Sequence, residues 1–223
     1  MKLLILSDLH ANTAALEKMS AQFAAADAVL FAGDFARFGA PETALPSLEA
    51  LHKKHDTIFA VIGNCDEPEL LPELEKRDMS VQNAVVQHEG LVFAGSGGGS
   101  KFTGTTPNER SDEELAADFS LIQHEGQHWH NLIVLMHNPP KDTACDTIAN
   151  GAHVGSALLR QFIETAEPLV VVTGHIHESA AIDTVGSTTI INPGALLEDR
   201  YAWLELKKTE AGWNVAKASL ETL

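Results

Sequence analysis

Seven polar side chains in this sequence share a type and a place. Asp8, His10, Asp34, Asn64, His137, His175 and His177 are carboxylates, an amide and imidazoles, the groups that bind metal ions such as Mn²⁺, Zn²⁺ or Fe. Each comes directly after a strongly apolar run. KLLILS leads to Asp8-Leu9-His10, AVLFAG to Asp34, TIFAVIG to Asn64, LIVLM to His137, and LVVVTG to His175-Ile176-His177. In an extended chain, residues i and i+2 point the same way with α-carbons roughly 7 Å apart. Two imidazoles so placed can grip one ion, straddle two, or simply decorate a loop. The joint pattern says more than the pair. Two aspartates, an asparagine and four histidines are what a two-metal centre requires, with one carboxylate bridging the ions. Ions roughly 3.5–4 Å apart clamp the attacking and leaving oxygens of a phosphoryl transfer.

Such a centre forms only if the strands run parallel, because sites in α/β sheets assemble beyond the carboxyl ends of the strands. The apolar runs at 2–7, 28–33, 57–63, 132–136 and 169–173 read as buried strands, with further strands near 84–87 and 91–94. Amphipathic stretches at 12–25, 41–54, 67–76, 111–123 and 155–166 read as helices. Pro41 opens the second, and a Ser111–Glu114 capping box opens the fourth. The tail beyond residue 179 reads as short strands. The alternation argues for α/β layering in one domain spanning residues 1–223. A second His-x-His, His128 and His130, precedes its strand instead of following it, which assigns it to a solvated turn at the opposite edge. His52 and His55 fall at a helix C-terminus, where a partly cationic ring suits the dipole.

Composition narrows the partners. The formal charge of −16 repels polyanions and offers no basic footprint for a nucleic-acid duplex. A phosphorylated substrate must then be held by something other than a basic patch, and bound metal ions would serve. No apolar run approaches the roughly 20 residues of a membrane span. The opening MKLLILSDLH has too short an apolar core for a secretory signal. Cys65 and Cys145 are too few for a disulfide framework, so a reducing, cytoplasmic location is expected.

The ordered set Asp8-x-His10, Gly33-Asp34, Gly63-Asn64, His137 and Gly174-His175-x-His177 resembles the calcineurin-like metallophosphoesterase superfamily. The segments AGSGGGS, HNPPKDTACD, HVGSALL and INPGA look like its Icc-related branch. The resemblance implies a four-layer α/β/β/α sandwich of two mixed sheets flanked by helices. It implies that Asp8, His10 and His177 hold a first divalent ion, that Asn64, His137 and His175 hold a second, and that Asp34 bridges them. Mn²⁺ is the first expectation, with Fe, Zn or Ni as alternatives. The implied activity is hydrolysis of a small phosphoester, a diester before a monoester, by a hydroxide attacking in line. The competing reading is a scaffold of the same fold with little or no turnover. The sequence is silent on oligomeric state.

One motif departs from the pattern. Many members carry Gly-Asn-His-Asp/Glu, whose histidine helps the leaving group. This chain has Gly63-Asn64-Cys65-Asp66, a variant known among smaller phosphodiesterases and in a retromer-type scaffold subunit. A thiol with pKa near 8.5 is a poorer proton donor at neutral pH than an imidazolium. Cys65 is thus either a weak catalytic group or a small buried filler. Asp66 is expected to orient a ligating imidazole, and His153 to lie on the substrate side. Arg37 is a candidate to steer a phosphate. The glycines of 95–99 are a candidate phosphate cradle or a flexible loop.

Overall fold

The computed structural model describes residues 1–122 and 129–223. Its strands are β1 (Lys2–Leu6), β2 (Ala28–Phe31), β3 (Ile58–Ala60), β4 (Val86–His88), β5 (Leu91–Ser96), β6 (Gly99–Ser100), β7 (Glu109–Arg110), β8 (Leu132–Met136), β9 (Val170–Val172), β10 (Ala181–Val185), β11 (Thr188–Asn192), β12 (Arg200–Thr209) and β13 (Gly212–Thr222). Its helices are α1 (Thr13–Lys18), α2 (Ser20–Ala25), α3 (Ala44–His52), α4 (Leu71–Glu75), α5 (Asp112–Ala117) and α6 (Ala157–Ala166). Of the two large sheets, one has the order β13-β12-β1-β2-β3 and the other β10-β11-β9-β8-β5-β4, while β6 and β7 form a separate two-stranded ribbon. Within the first, β1, β2 and β3 are parallel, and β12 joins β1 antiparallel. Within the second, β5, β8, β9 and β11 are parallel, with antiparallel β4 and β10 at the edges.

The period of two along each strand builds the layers. Leu3 and Ile5 of β1 face Ile133, Leu135, Val170 and Val172 in the core between the sheets. Leu4 and Leu6 face the other way, into a cluster with Leu16, Phe23, Leu48 and Leu74 from α1 to α4. Val134 and Val171 on the far side of the second sheet pack with Leu115, Phe119, Leu159 and Phe162 from the α5 and α6 region. The order of layers is therefore helices, sheet, sheet, helices, as expected. Phe59 and Phe93 stack across the middle at 4.0 Å between centroids, and Phe119 stacks on Phe162 at 4.2 Å. Each such buried side chain contributes about 1.5–3 kcal/mol of transfer free energy.

Several expected elements differ in detail. The helix at 67–76 opens as a 3₁₀ turn, Pro68–Leu70, and the one at 111–123 is, among the described residues, helical only over Asp112–Ala117. The helix at 12–25 breaks into α1 and α2 at Met19, whose side chain is wholly buried. The helix at 41–54 starts as a 3₁₀ turn, Pro41–Thr43, before α3. The tail ends in a long hairpin, β12–β13, in place of short strands. The capping box is present: Ser111 Oγ accepts from Glu114 N, and the Glu114 carboxylate accepts from Ser111 N. No helix among the described residues is long and apolar enough to cross a membrane.

Candidate metal centre

The turns that follow the strands are sharp, and four candidate ligands sit in them with left-handed backbones: Asp8 (φ 54°), His10 (φ 46°), Asp34 (φ 61°) and His175 (φ 69°). Such conformations are uncommon away from glycine and cluster at functional sites. Here the turns are zipped to one another. Asp8 N donates to Gly33 O at 2.9 Å, His10 N to Asp34 O at 3.1 Å, and Ala11 N to Phe35 O at 3.0 Å. Two glycines allow the close approach. A Cβ on Gly63 would lie 1.9 Å from Asp34 Oδ1, and one on Gly174 would lie 1.9 Å from Ser7 Oγ.

The side chains meet at one mouth. His10 Nε2 lies 3.2 Å from His177 Nε2, and His177 Nε2 lies 3.2 Å from Asp8 Oδ1. His137 Nε2 lies 2.9 Å from Asn64 Oδ1. A single oxygen, Asp34 Oδ2, stands between the groups, 3.6 Å from His10 Nε2 and 3.5 Å from His137 Nε2. Ligands about 2.0–2.2 Å from a common ion stand roughly 3–3.6 Å from each other. The observed spacings match that. Potential ligand atoms of Asp8, His10 and His177 lie within 4.8 Å of one another, as do those of Asp8, Asp34 and His137, and of His10, Asp34 and Cys65.

The pair His175 and His177 does not follow the extended-chain expectation. Left-handed His175 and a 3₁₀ turn starting at His177 aim the two rings apart. His175 lies tilted against His137 at 5.1 Å between centroids, and His177 against His10 at 5.2 Å.

The residues present fit divalent cations. Asp8 Oδ1 is buried with no well-aligned hydrogen bond, its nearest polar neighbour being His177 Nε2 at 3.2 Å. That is an expensive state for a carboxylate oxygen unless a cation, a protonated His177 or a metal ion, faces it. His10 Nδ1 faces the Ala36 carbonyl at 2.8 Å, and His137 Nδ1 faces the Ala32 carbonyl at 2.7 Å. A carbonyl only accepts, so those nitrogens carry the protons and both Nε2 atoms offer lone pairs to the mouth. Burial, and then the neighbouring His137, holds His175 down to about 4, so it stays neutral and ready to ligate. Burial likewise lowers His137. Burial raises Asp34, with the Asp8 charge adding to it. Burial alone would raise Asp8 too, but the surrounding histidines reverse it and hold this carboxyl below the usual range.

The other candidates separate. Asp66 orients no imidazole directly. Its carboxylate accepts backbone N–H groups from Asp34, Phe35, Ala36 and Gly63 at 3.1, 3.2, 2.7 and 2.8 Å. Burial and the Asp34 charge nonetheless raise it to about 6. Cys65 N donates to Asp34 Oδ1 at 2.8 Å, and burial, reinforced by Asp34, pushes its thiol far above the ordinary range. His153 pairs through Nδ1 with buried Asp146 at 2.6 Å, and that bond raises it. Of the glycine run, Gly98 N donates to Ile62 O and Gly99 N to Asn108 O, so these amides hold the fold instead of facing a ligand. His128 lies outside the described residues, and His130 is exposed just ahead of β8.

Three clefts border the mouth. One, ≈ 470 Å³, is lined mainly by polar residues, His175, His177, Glu178, Glu198 and Arg200. The other two are mainly apolar and share Asn64, Thr106 and His175. The larger of these, ≈ 430 Å³, runs along Phe102, Ile148, Val154 and Ile176, and the smaller, ≈ 370 Å³, along Arg37, Phe38, Cys65 and Leu197. Val154, not its neighbour His153, lines the larger. The 102–106 loop between them escaped the sequence reading. It is built on Glu109, whose carboxylate accepts N–H groups from Phe102, Gly104, Thr105 and Thr106.

Comparison with known proteins agrees with this architecture. The profile of the calcineurin-like phosphoesterase superfamily domain matches residues 1–208. The uncharacterized protein MJ1162 of Methanocaldococcus jannaschii is 30% identical over 197 residues, covering 86% of this chain and 88% of its own. Among solved structures, TT1561 of Thermus thermophilus aligns with a TM-score of 0.67 at 19% identity, over 99% of this chain and 98% of its own. A novel archaeal phosphodiesterase aligns with a TM-score of 0.57 at 17% identity over 100% of both chains.

Proposed function

The chain belongs to the calcineurin-like phosphoesterase superfamily, and from that premise we propose that it is a dinuclear-metal-dependent phosphohydrolase acting on small phosphodiesters. Asp8, His10 and His177 would hold one ion, Asn64, His137 and His175 the other, with Asp34 shared between the two sets. The observation that carries this reading is the position of Asp34 Oδ2, 3.6 Å from one group's imidazole and 3.5 Å from the other's. Two divalent ions, manganese first, would supply a nucleophilic water at neutral pH and neutralise charge on the phosphoryl oxygens.

The chain's own residues do the rest. The Ala36 and Ala32 carbonyls fix the tautomers of His10 and His137. Asp66 fixes the 34–36 turn. In the metal-free chain burial and the Asp34 charge keep Cys65 a thiol, and a neutral thiol is a poorer proton donor than an imidazolium, so leaving groups that need a proton should depart slowly. His153 pairs with Asp146 and lines neither apolar cleft, so it is not placed to supply that proton.

The test is an assay of nucleotides and phosphodiesters with the metal-stripped protein given back Mn²⁺, Fe²⁺, Zn²⁺ or Ni²⁺. Metal-dependent release of product from a diester is expected. No turnover with any ion would return the chain to the reading of a metal-bound scaffold.

A further inference from the structure

Large apolar side chains are exposed on both sides of the candidate centre. Phe102 is 93% exposed beside the larger apolar cleft, while Phe38 (62%) and Leu197 (46%) are exposed beside the smaller. Exposure of this kind is costly in water and is commonly functional when it borders a concave site. The Phe102 loop is not loose, because Glu109 gathers its backbone N–H groups. The two apolar clefts share Asn64, Thr106 and His175 at the mouth and are otherwise lined by different residues. A ligand whose phosphorus sits at the mouth therefore has two separate apolar exits. At ≈ 430 and ≈ 370 Å³ both clefts lie near the small end of ligand sites, which run about 300–1,000 Å³, and the smaller volume includes the mouth itself, because His10, Asp34 and His177 also line it. Each suits a group the size of one or two rings.

We propose that the substrate is a phosphodiester with an aromatic or similarly apolar arm on each side of phosphorus, one arm in each cleft. This rests on the phosphohydrolase reading for the position of the phosphorus. A monoester, or a diester with a methyl arm, leaves one cleft empty and forfeits its contacts.

The test uses the full chain with Mn²⁺ and two substrates with one leaving group: phenyl p-nitrophenyl phosphate and methyl p-nitrophenyl phosphate. The phenyl compound is expected to have a kcat/KM higher by about tenfold, the order for partial burial of one ring. Phe102→Ala and Phe38→Ala remove exposed rings, so the fold should survive, as Tm will verify. One variant should abolish the preference for phenyl, chiefly through KM. The other, on the side of the leaving group, should slow both substrates alike. Binding gives an independent readout with non-hydrolysable phosphinates. By calorimetry, dibenzylphosphinate should bind about tenfold more tightly than benzyl(methyl)phosphinate. Equal kcat/KM for the two esters, or a preference kept in both variants, overturns the proposal. If no ester is cleaved, the hydrolase reading fails and the phosphinates alone decide. Tighter binding of the dibenzyl compound then supports the two-armed ligand, and equal binding overturns it.

Discussion

Asp66 and His10 meet at one residue without touching. The Asp66 Oδ1 atom accepts the Ala36 N–H at 2.7 Å, and the Ala36 carbonyl faces His10 Nδ1 at 2.8 Å. The carboxylate of the third strand's loop thereby sets the ring of the first strand's loop through the backbone of the second. Replacing Asp66 by Ala should leave several buried N–H groups without an acceptor. A loss of about 2–4 kcal/mol of stability is expected in chemical denaturation. Asp66→Asn, which keeps one acceptor oxygen, should lose less. In both, metal affinity should fall more than turnover at saturating metal.

Removing ligands should separate the two kinds of histidine. His175→Ala and His10→Ala are each expected to lose about one equivalent of metal per chain by elemental analysis, as fits one ion per ligand set. His130→Ala, altered at an exposed position before β8, should keep the wild-type content. Metal loss in that variant would contradict the assignment.

Gly63→Ala tests close packing instead of chemistry. Its Cβ would meet Asp34 Oδ1 at 1.9 Å, so the carboxylate must move. Overpacking of this kind costs about 1–3 kcal/mol. The displaced Asp34 should also weaken metal binding, although no ligand has been removed. Retained affinity would show that the Asp34 position is not critical.

Cys65 should resist alkylation. Its thiol is pushed upward by burial and by Asp34, so little thiolate exists at neutral pH. Iodoacetamide should modify Cys65 much more slowly in the folded chain than in denaturant. Aryl diesters, whose leaving groups need no proton, should be cleaved faster than alkyl esters by about 10²-fold or more. Cys65→His should narrow that gap if the ring fits.

The 102–106 loop should tolerate mild acid. Backbone N–H groups, first that of Phe102, lower Glu109 from 4.5 to about 2. A depressed carboxyl contributes stability above its unfolded value and loses it as pH falls through the folded value. Amide protection at Phe102 and Gly104 should therefore persist from neutral pH down to about 4.5 and fall only below it. Glu109→Ala should abolish that protection at every pH, as read by hydrogen exchange.

The seven candidate ligands were legible because an apolar run ending in an aspartate, asparagine or histidine is a local signal, and parallel strands repeat it at one edge. The aim of His177 was not legible. It depends on a left-handed His175, a backbone state that the i, i+2 spacing does not encode. The hairpin β12–β13 reads too short in the sequence because exposed Lys207 and Lys208 interrupt the apolar pattern after Leu206 while the pairing continues. The loop on Glu109 left no trace, since a carboxylate collecting backbone amides needs no side-chain motif in its partners. The glycine run looked like a ligand cradle because backbone packing and anion binding favour the same residue.

Asp8, His10, Asp34 and Asn64 follow strands of one sheet, while His137, His175 and His177 follow strands of the other. His10–His177 and Asn64–His137 therefore each cross the seam of the sandwich. An ion gripped there is a rivet through both plates. Loading would resist shear between the sheets as well as prepare the mouth for substrate, and at free metal about 1,000 times Kd it would raise stability by about 4 kcal/mol. A cell that starves the protein of metal would then lose more than turnover: the two halves of the molecule would come apart more readily, and its lifetime would follow metal supply.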